Sequence, residues 1–219
     1  MMQSGFSADH PHQGKAVFAT GASLQDAQAA MLMIHGRGAS AQDILSLANE
    51  FEQPGFAYLA PQAAGNTWYP NRFMAPIEQN EPWLTSALSV VGDLFSYITN
   101  AGIPAEQVML LGFSQGACLA LEFAARNARR YGGVVGLSGA LIGPEAVTRN
   151  TEGSLAGTPV FLGCSDVDPH IPRARVAHAA RQLKELGGEV TERIYPNLGH
   201  AVNRDEIEFV QRMMQALTG

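Results

Sequence analysis

Ser114 stands in Gly112-Phe113-Ser114-Gln115-Gly116, a G-x-S-x-G pattern that follows the apolar run Val108 to Leu111 and precedes an apolar, helix-favouring segment reaching Ala125. A serine at such a strand-to-helix turn can act as a nucleophile toward a carbonyl carbon. It takes a strained backbone conformation there, and glycines at 112 and 116 are needed because side chains would collide as strand and helix pack. The Gln115 backbone N–H would be one donor to the oxyanion that forms. The pattern alone is a weak signal in a chain with 23 glycines; the strand before it and the helix after it give it weight.

A serine hydroxyl needs a base to take its proton and an acid to hold that base in the right tautomer, and on a parallel sheet they follow in the order Ser, Asp or Glu, His. Asp9, Asp26, Asp43 and Asp93 precede Ser114, and Asp205 lies beyond the last histidine. Asp166 and Asp168 remain, both in a loop after an apolar run. Glu122, Glu145, Glu152, Glu185, Glu189 and Glu192 read as solvated charges. His170 is only two residues from Asp168 and His178 lies within a helical segment, whereas His200 ends the loop Asn197-Leu198-Gly199-His200. His200 is therefore the expected base. The second oxyanion amide should come from His35-Gly36-Arg37-Gly38, where glycines let backbone approach a ligand; spacing does not choose among its amides. His35 itself reads as a structural hydrogen-bonder. Asp166, Asp168 and His170 lack a second cluster that would complete a metal shell, so no metal is expected.

The elements that must position these groups alternate. Strands are expected at Lys15 to Thr20 (an edge), Ala29 to Ile34, Phe56 to Ala60, Val108 to Leu111, Gly133 to Leu137, Pro159 to Gly163 and Val190 to Tyr195. Helices are expected from Ser40 to about Phe51, from Trp83 to Asn100, after Ser114, from Pro172 to Leu186 and from Asn203 to Leu217. That alternation predicts an α/β fold, an open and mostly parallel sheet with helices on both faces and ligands at the carboxyl ends of its strands. Pro61 to Pro82 has no period yet carries Trp68, Tyr69 and Phe73, as expected of a functional loop. Residues 1–14 read as a flexible tail with no role for His10 or His12, and 15–219 as one domain. Net charge is −6 with no basic block, which argues against nucleic acid; no signal peptide or run near 18 apolar residues is present, and two cysteines without framework spacing suit a reduced, cytoplasmic protein.

Taken together, HGRG at 35–38, GFSQG at 112–116, SDVDPHIP at 165–172 and GH at 199–200 resemble the phospholipase/carboxylesterase family of α/β-hydrolases, which includes bacterial carboxylesterases and acyl-protein thioesterases. The likeness spans nearly everything after Gly14. It implies an α/β-hydrolase fold with Ser114 as nucleophile, His200 as base and Asp168, the aspartate directly before the proline, as acid. It also implies oxyanion amides from Arg37 and Gln115, a substrate loop at Trp68-Tyr69-Pro70, no cofactor, and a possible homodimer. Trp68, Tyr69, Phe73 and Met74, helped by Leu141 and Ile142, are expected to wall the pocket for an ester's acyl or alcohol part. Arg37 and Ala39 depart from many members, which carry an apolar residue and a later Asp there; the Arg37 side chain is expected to border the site and favour an acidic substrate. The implied reaction is carboxylic ester hydrolysis through an acyl-enzyme. Alternatives are a thioesterase or lysophospholipase for long acyl chains, or, from another class, a non-catalytic binding protein on a hydrolase fold.

Overall fold

The computed structural model describes residues 10–51, 53–149 and 152–219. Seven strands, β1 (Val17–Gly21), β2 (Ala29–Ile34), β3 (Phe56–Pro61), β4 (Val108–Phe113), β5 (Gly133–Leu137), β6 (Pro159–Ser165) and β7 (Glu189–Tyr195), form one sheet in the order β1-β3-β2-β4-β5-β6-β7. Only β1 runs antiparallel, against β3; the other pairs are parallel. Both faces are covered, so the inner strands lose polar alternation, and all six residues of β2 are buried.

The helices are α1 (Ala41–Leu45), α2 (Trp83–Asn100), α3 (Gln115–Arg126), α4 (Arg173–Glu185) and α5 (Arg204–Thr218). Alternate strand residues serve the two faces. Ala30, Leu32, Leu110, Val134 and Leu162 pack with α2, α3 and α4, while Met31, Met33, Met109, Val135 and Phe161 pack with α1 and α5. The open, mostly parallel sheet read from the sequence is the one that forms. The segment expected as one helix to Phe51 is α-helical only to Leu45 and then tightens into a 3₁₀ turn, Ser46–Glu50. Ser46 Oγ donates to the Asp43 carbonyl at 2.7 Å, a side-chain bond that competes with the helical ladder.

Two sequence expectations fail through burial. His12, assigned to a fraying tail, is 1% exposed; its Nε2–H donates to the Trp68 carbonyl at 2.9 Å and its Nδ1 accepts from the Ala64 amide at 3.0 Å. Residues 1–9, the start of that tail, lie outside the described residues. Glu122, read as solvated, is fully buried. The chain after β5 folds over α3 and brings Arg149 to its carboxylate at 2.8 Å, while Arg126 pairs at 2.7 Å and the Ile142 amide donates at 3.0 Å. A buried carboxylate with these donors ties that connection to α3.

Candidate active site

The carboxyl end of the sheet gathers the reactive groups. Ser114 follows β4, Asp168 follows β6, His200 follows β7, and Arg37 follows β2. Ser114 has φ 54° and ψ −117°, a conformation costly for a residue with a side chain. Its amide donates to the Leu137 carbonyl at 2.9 Å, and its carbonyl accepts the Cys118 amide as α3 begins. A Cβ on Gly112 would fall on the Gly116 backbone, and one on Gly116 would fall on the Ile34 carbonyl. Both glycines are thus demanded by close approach of strand and helix.

Ser114 Oγ donates to His200 Nε2 at 2.8 Å, and His200 Nδ1–H donates to Asp168 Oδ2 at 2.7 Å. The Asp168 carboxylate side chain is fully buried, while the His200 ring is one-fifth exposed. Burial opposes ionisation of Asp168, but the His200 hydrogen bond and the amides of His170 and Ile171 outweigh it and hold the carboxyl below its ordinary range. Asp166 turns elsewhere: its Oδ1 accepts the Asn197 amide at 2.8 Å. Ser165 Oγ accepts from Gly199 at 3.0 Å, so these two residues brace the His200 loop against the Asp168 loop. His170 packs edge-on against His200, ring centroids 4.8 Å apart.

Gln115 opens α3, so its backbone N–H is among those with no intrahelical partner. Its side chain holds the aromatic loop, accepting from the Trp68 amide and donating to the Tyr69 carbonyl, both at 2.8 Å. Arg37 grips the same loop from outside, donating to the carbonyls of Tyr69 (2.8 Å), Pro70 (2.9 Å) and Asn71 (2.7 Å). His35 is a structural bonder: its Nδ1–H donates to the Gly36 carbonyl and its Nε2 accepts the Ala63 amide. Burial, the largest influence, pushes its ring below the ordinary imidazole value. Trp68 Nε1–H closes this arrangement on the His35 carbonyl at 2.9 Å.

A cavity of about 510 Å³ opens beside Ser114 and His200. Tyr69, Phe73, Cys118 and Ile171 give it apolar wall, and Arg37, Asn71, Arg72 and His170 give it polar wall. Of the six residues expected to bind substrate, Tyr69 and Phe73 lie on this cavity. Trp68 does not: it is fully buried behind the loop it anchors. Met74 packs against the core. Leu141 and Ile142 are buried, because their backbones are drawn inward by Arg175 and Glu122. Arg72, Asn71 and His170 were missed as lining residues; their nearness to Trp68-Tyr69-Pro70 and Asp168 in sequence was the signal. The Cys118 thiol, on the cavity, is pushed up to about 11 chiefly by burial, so it is a poor nucleophile. Among the described residues no group of three or more His, Cys, Asp or Glu is arranged to hold a metal ion.

Comparison with known proteins places the fold in a family. A family model described as phospholipase/carboxylesterase matches residues 16–218. A solved phospholipase/carboxylesterase from Dyadobacter fermentans is 43% identical, with a TM-score of 0.89 over 92% of this chain and 97% of that one. Acyl-protein thioesterase 1 of Saccharomyces cerevisiae is 34% identical over 49% of this chain and 48% of its own length. The Emericella nidulans protein of that name is 26% identical over 90% and 95%. The chain spans about half the length of the first curated relatives it matches. Fold and family model coincide, and the chain belongs to the phospholipase/carboxylesterase family.

Proposed function

We propose that the protein is a serine hydrolase of carboxylic esters that works through an acyl-enzyme. The observation that carries this is the hydrogen-bonded series Ser114, His200 and Asp168 at 2.8 and 2.7 Å, with the serine held at φ 54° beside an open cavity. Ser114 Oγ attacks the ester carbonyl as its proton passes to His200 Nε2. The Arg37 and Gln115 backbone amides receive the oxyanion, where prearranged donors act without reorganisation. Asp168 holds the imidazole by Nδ1 and stabilises its cation, and His200 then protonates the leaving alcohol. Water, deprotonated by His200, attacks the acyl-enzyme and releases the carboxylic acid and Ser114. Tyr69 and Phe73 supply the apolar contact for the substrate.

Rapid mixing with 4-nitrophenyl acetate tests this reading. One equivalent of nitrophenolate per chain should appear in a burst before steady turnover, and Ser114→Ala should lose both phases. Turnover without a covalent acyl-serine would contradict it. A second reading, thioester hydrolysis, is favoured by the relatives named acyl-protein thioesterase. Walls that mix apolar and charged groups around about 510 Å³ favour compact acyl groups over long ones. A series of 4-nitrophenyl esters should peak at roughly four to six acyl carbons, and rates climbing to long chains would favour the thioesterase and lysophospholipase reading. A cytoplasmic location and a homodimer complete the proposal on family likeness; a sedimenting mass twice that of the chain would support the dimer, and a single-chain mass would remove it. Among the described residues no helix is long and apolar enough to cross a membrane.

A further inference from the structure

Among the described residues four of the twelve arginines are ion-paired and eight, Arg37 and Arg72 among them, are not. Arg126, Arg149, Arg193 and Arg204 each pair with a carboxylate. Arg37 and Arg72 border the cavity beside Ser114, and among the described residues neither pairs with one. Among the described residues no aspartate or glutamate lines that cavity. A third cation, Arg175, stands behind its wall. It is 7% exposed, with its guanidinium carbon 5.3 Å from the Phe73 ring centroid, and it donates to the carbonyls of Leu141 (3.1 Å) and Gly143 (2.6 Å) while its Nε has no partner. Two guanidinium charges thus line one cavity of a protein whose net charge is −6; behind its wall the Arg175 cation is offset by Glu145, and the Asp168 carboxylate stands behind His200. A concentration of one sign in a cleft with low-dielectric walls selects for a ligand of the other sign.

The two lining arginines are not equivalent. Arg37 spends three N–H groups on loop carbonyls, so it holds the loop, and the sequence expectation that it selects the substrate is better carried by its neighbour. Arg72 is exposed on the cavity rim and has no hydrogen bond from its guanidinium to the described residues, which leaves its planar set of donors for a two-point contact with a carboxylate.

We propose that the side of the cavity bearing Arg37 and Arg72 receives a carboxylate carried by the ester substrate, on its acyl chain or its alcohol, and that Arg72 selects it. The inference rests on the serine-ester reading above. Its test compares kcat/KM within two matched pairs. Mono-4-nitrophenyl adipate against 4-nitrophenyl hexanoate probes the acyl side, and 4-carboxyphenyl butyrate against 4-carbamoylphenyl butyrate probes the alcohol side. In at least one pair the wild type should prefer the anionic ester, and Arg72→Ala should lower that preference about tenfold through KM, with Arg72→Lys restoring part of it. Raising salt to about 0.5 M should shrink the wild-type preference. No anionic preference in either pair, or equal losses on both members of each pair in Arg72→Ala, would overturn the inference. Fluorophosphonate labelling of Ser114 in the same samples separates the two levels. Labelling with a flat preference overturns the anion inference alone, and absence of labelling overturns the serine-ester reading and this inference with it.

Discussion

Two aspartates two residues apart do different work because one bond each decides their fate. Asp168 accepts His200 Nδ1–H with Oδ2 and two backbone amides with Oδ1, whereas Asp166 accepts only the Asn197 amide from the neighbouring loop. Asp168→Asn keeps the shape but offers the imidazole either a second donor or a neutral acceptor, so kcat should fall about 10³- to 10⁴-fold. Asp166→Asn retains an oxygen for Asn197, and steady-state rates should stay within about threefold of wild type. The reverse order of losses would contradict the assignment. Spacing alone leaves this pair open, since both follow β6 at the sheet edge. The choice depends on where a loop turns its side chains, which periodicity does not encode.

Elements were legible where a repeat or a turn chemistry writes them. The buried strands stood out as unbroken apolar runs, and Ser40 and Asn203 cap α1 and α5 as expected of their side chains. What could not be read was the grip on the loop from Pro61 to Pro82. Arg37 and Gln115 hold it by backbone carbonyls and an amide, groups that every residue carries and no motif announces. The burial of Glu122 and His12 escaped for a related reason, because each is covered by a segment distant in sequence. Gln115→Ala leaves the buried Trp68 amide unpaired and the Tyr69 carbonyl with Arg37 alone. Its expected cost is about 2–3 kcal/mol in denaturant unfolding, together with faster proteolytic cutting within residues 61–82. Arg37→Ala, losing bonds on the exposed side, should cost about 1 kcal/mol. A larger loss from Arg37 than from Gln115 would mean that the loop is held from outside.

Across the whole molecule, opposing buried groups shape stability against pH. Glu206, at the start of α5, is fully buried, and one of its oxygens lacks a partner. Burial pushes its carboxyl from 4.5 up to about 7, against the bond from the Asn203 amide. The folded chain therefore holds a proton that the unfolded chain releases, and this residue costs stability as pH rises from 4.5 to about 7. Burial, the leading cause, lowers both His12 and His35, so their contribution has the other sign and is lost as pH falls below the unfolded value of 6.5. Glu206→Gln should match wild type near pH 4.5 and exceed it by about 3 kcal/mol at pH 8, measured by denaturant unfolding. An offset that does not change with pH would contradict an ionisation effect. The carboxyl-end loops of the sheet converge on a single hydroxyl, so the decisive measurement is intact mass and peptide mapping after treatment with a fluorophosphonate, on wild type and His200→Ala. One adduct per chain is expected, on Ser114, and it should vanish in the variant. An unlabelled wild type, or equal labelling in both proteins, would contradict it.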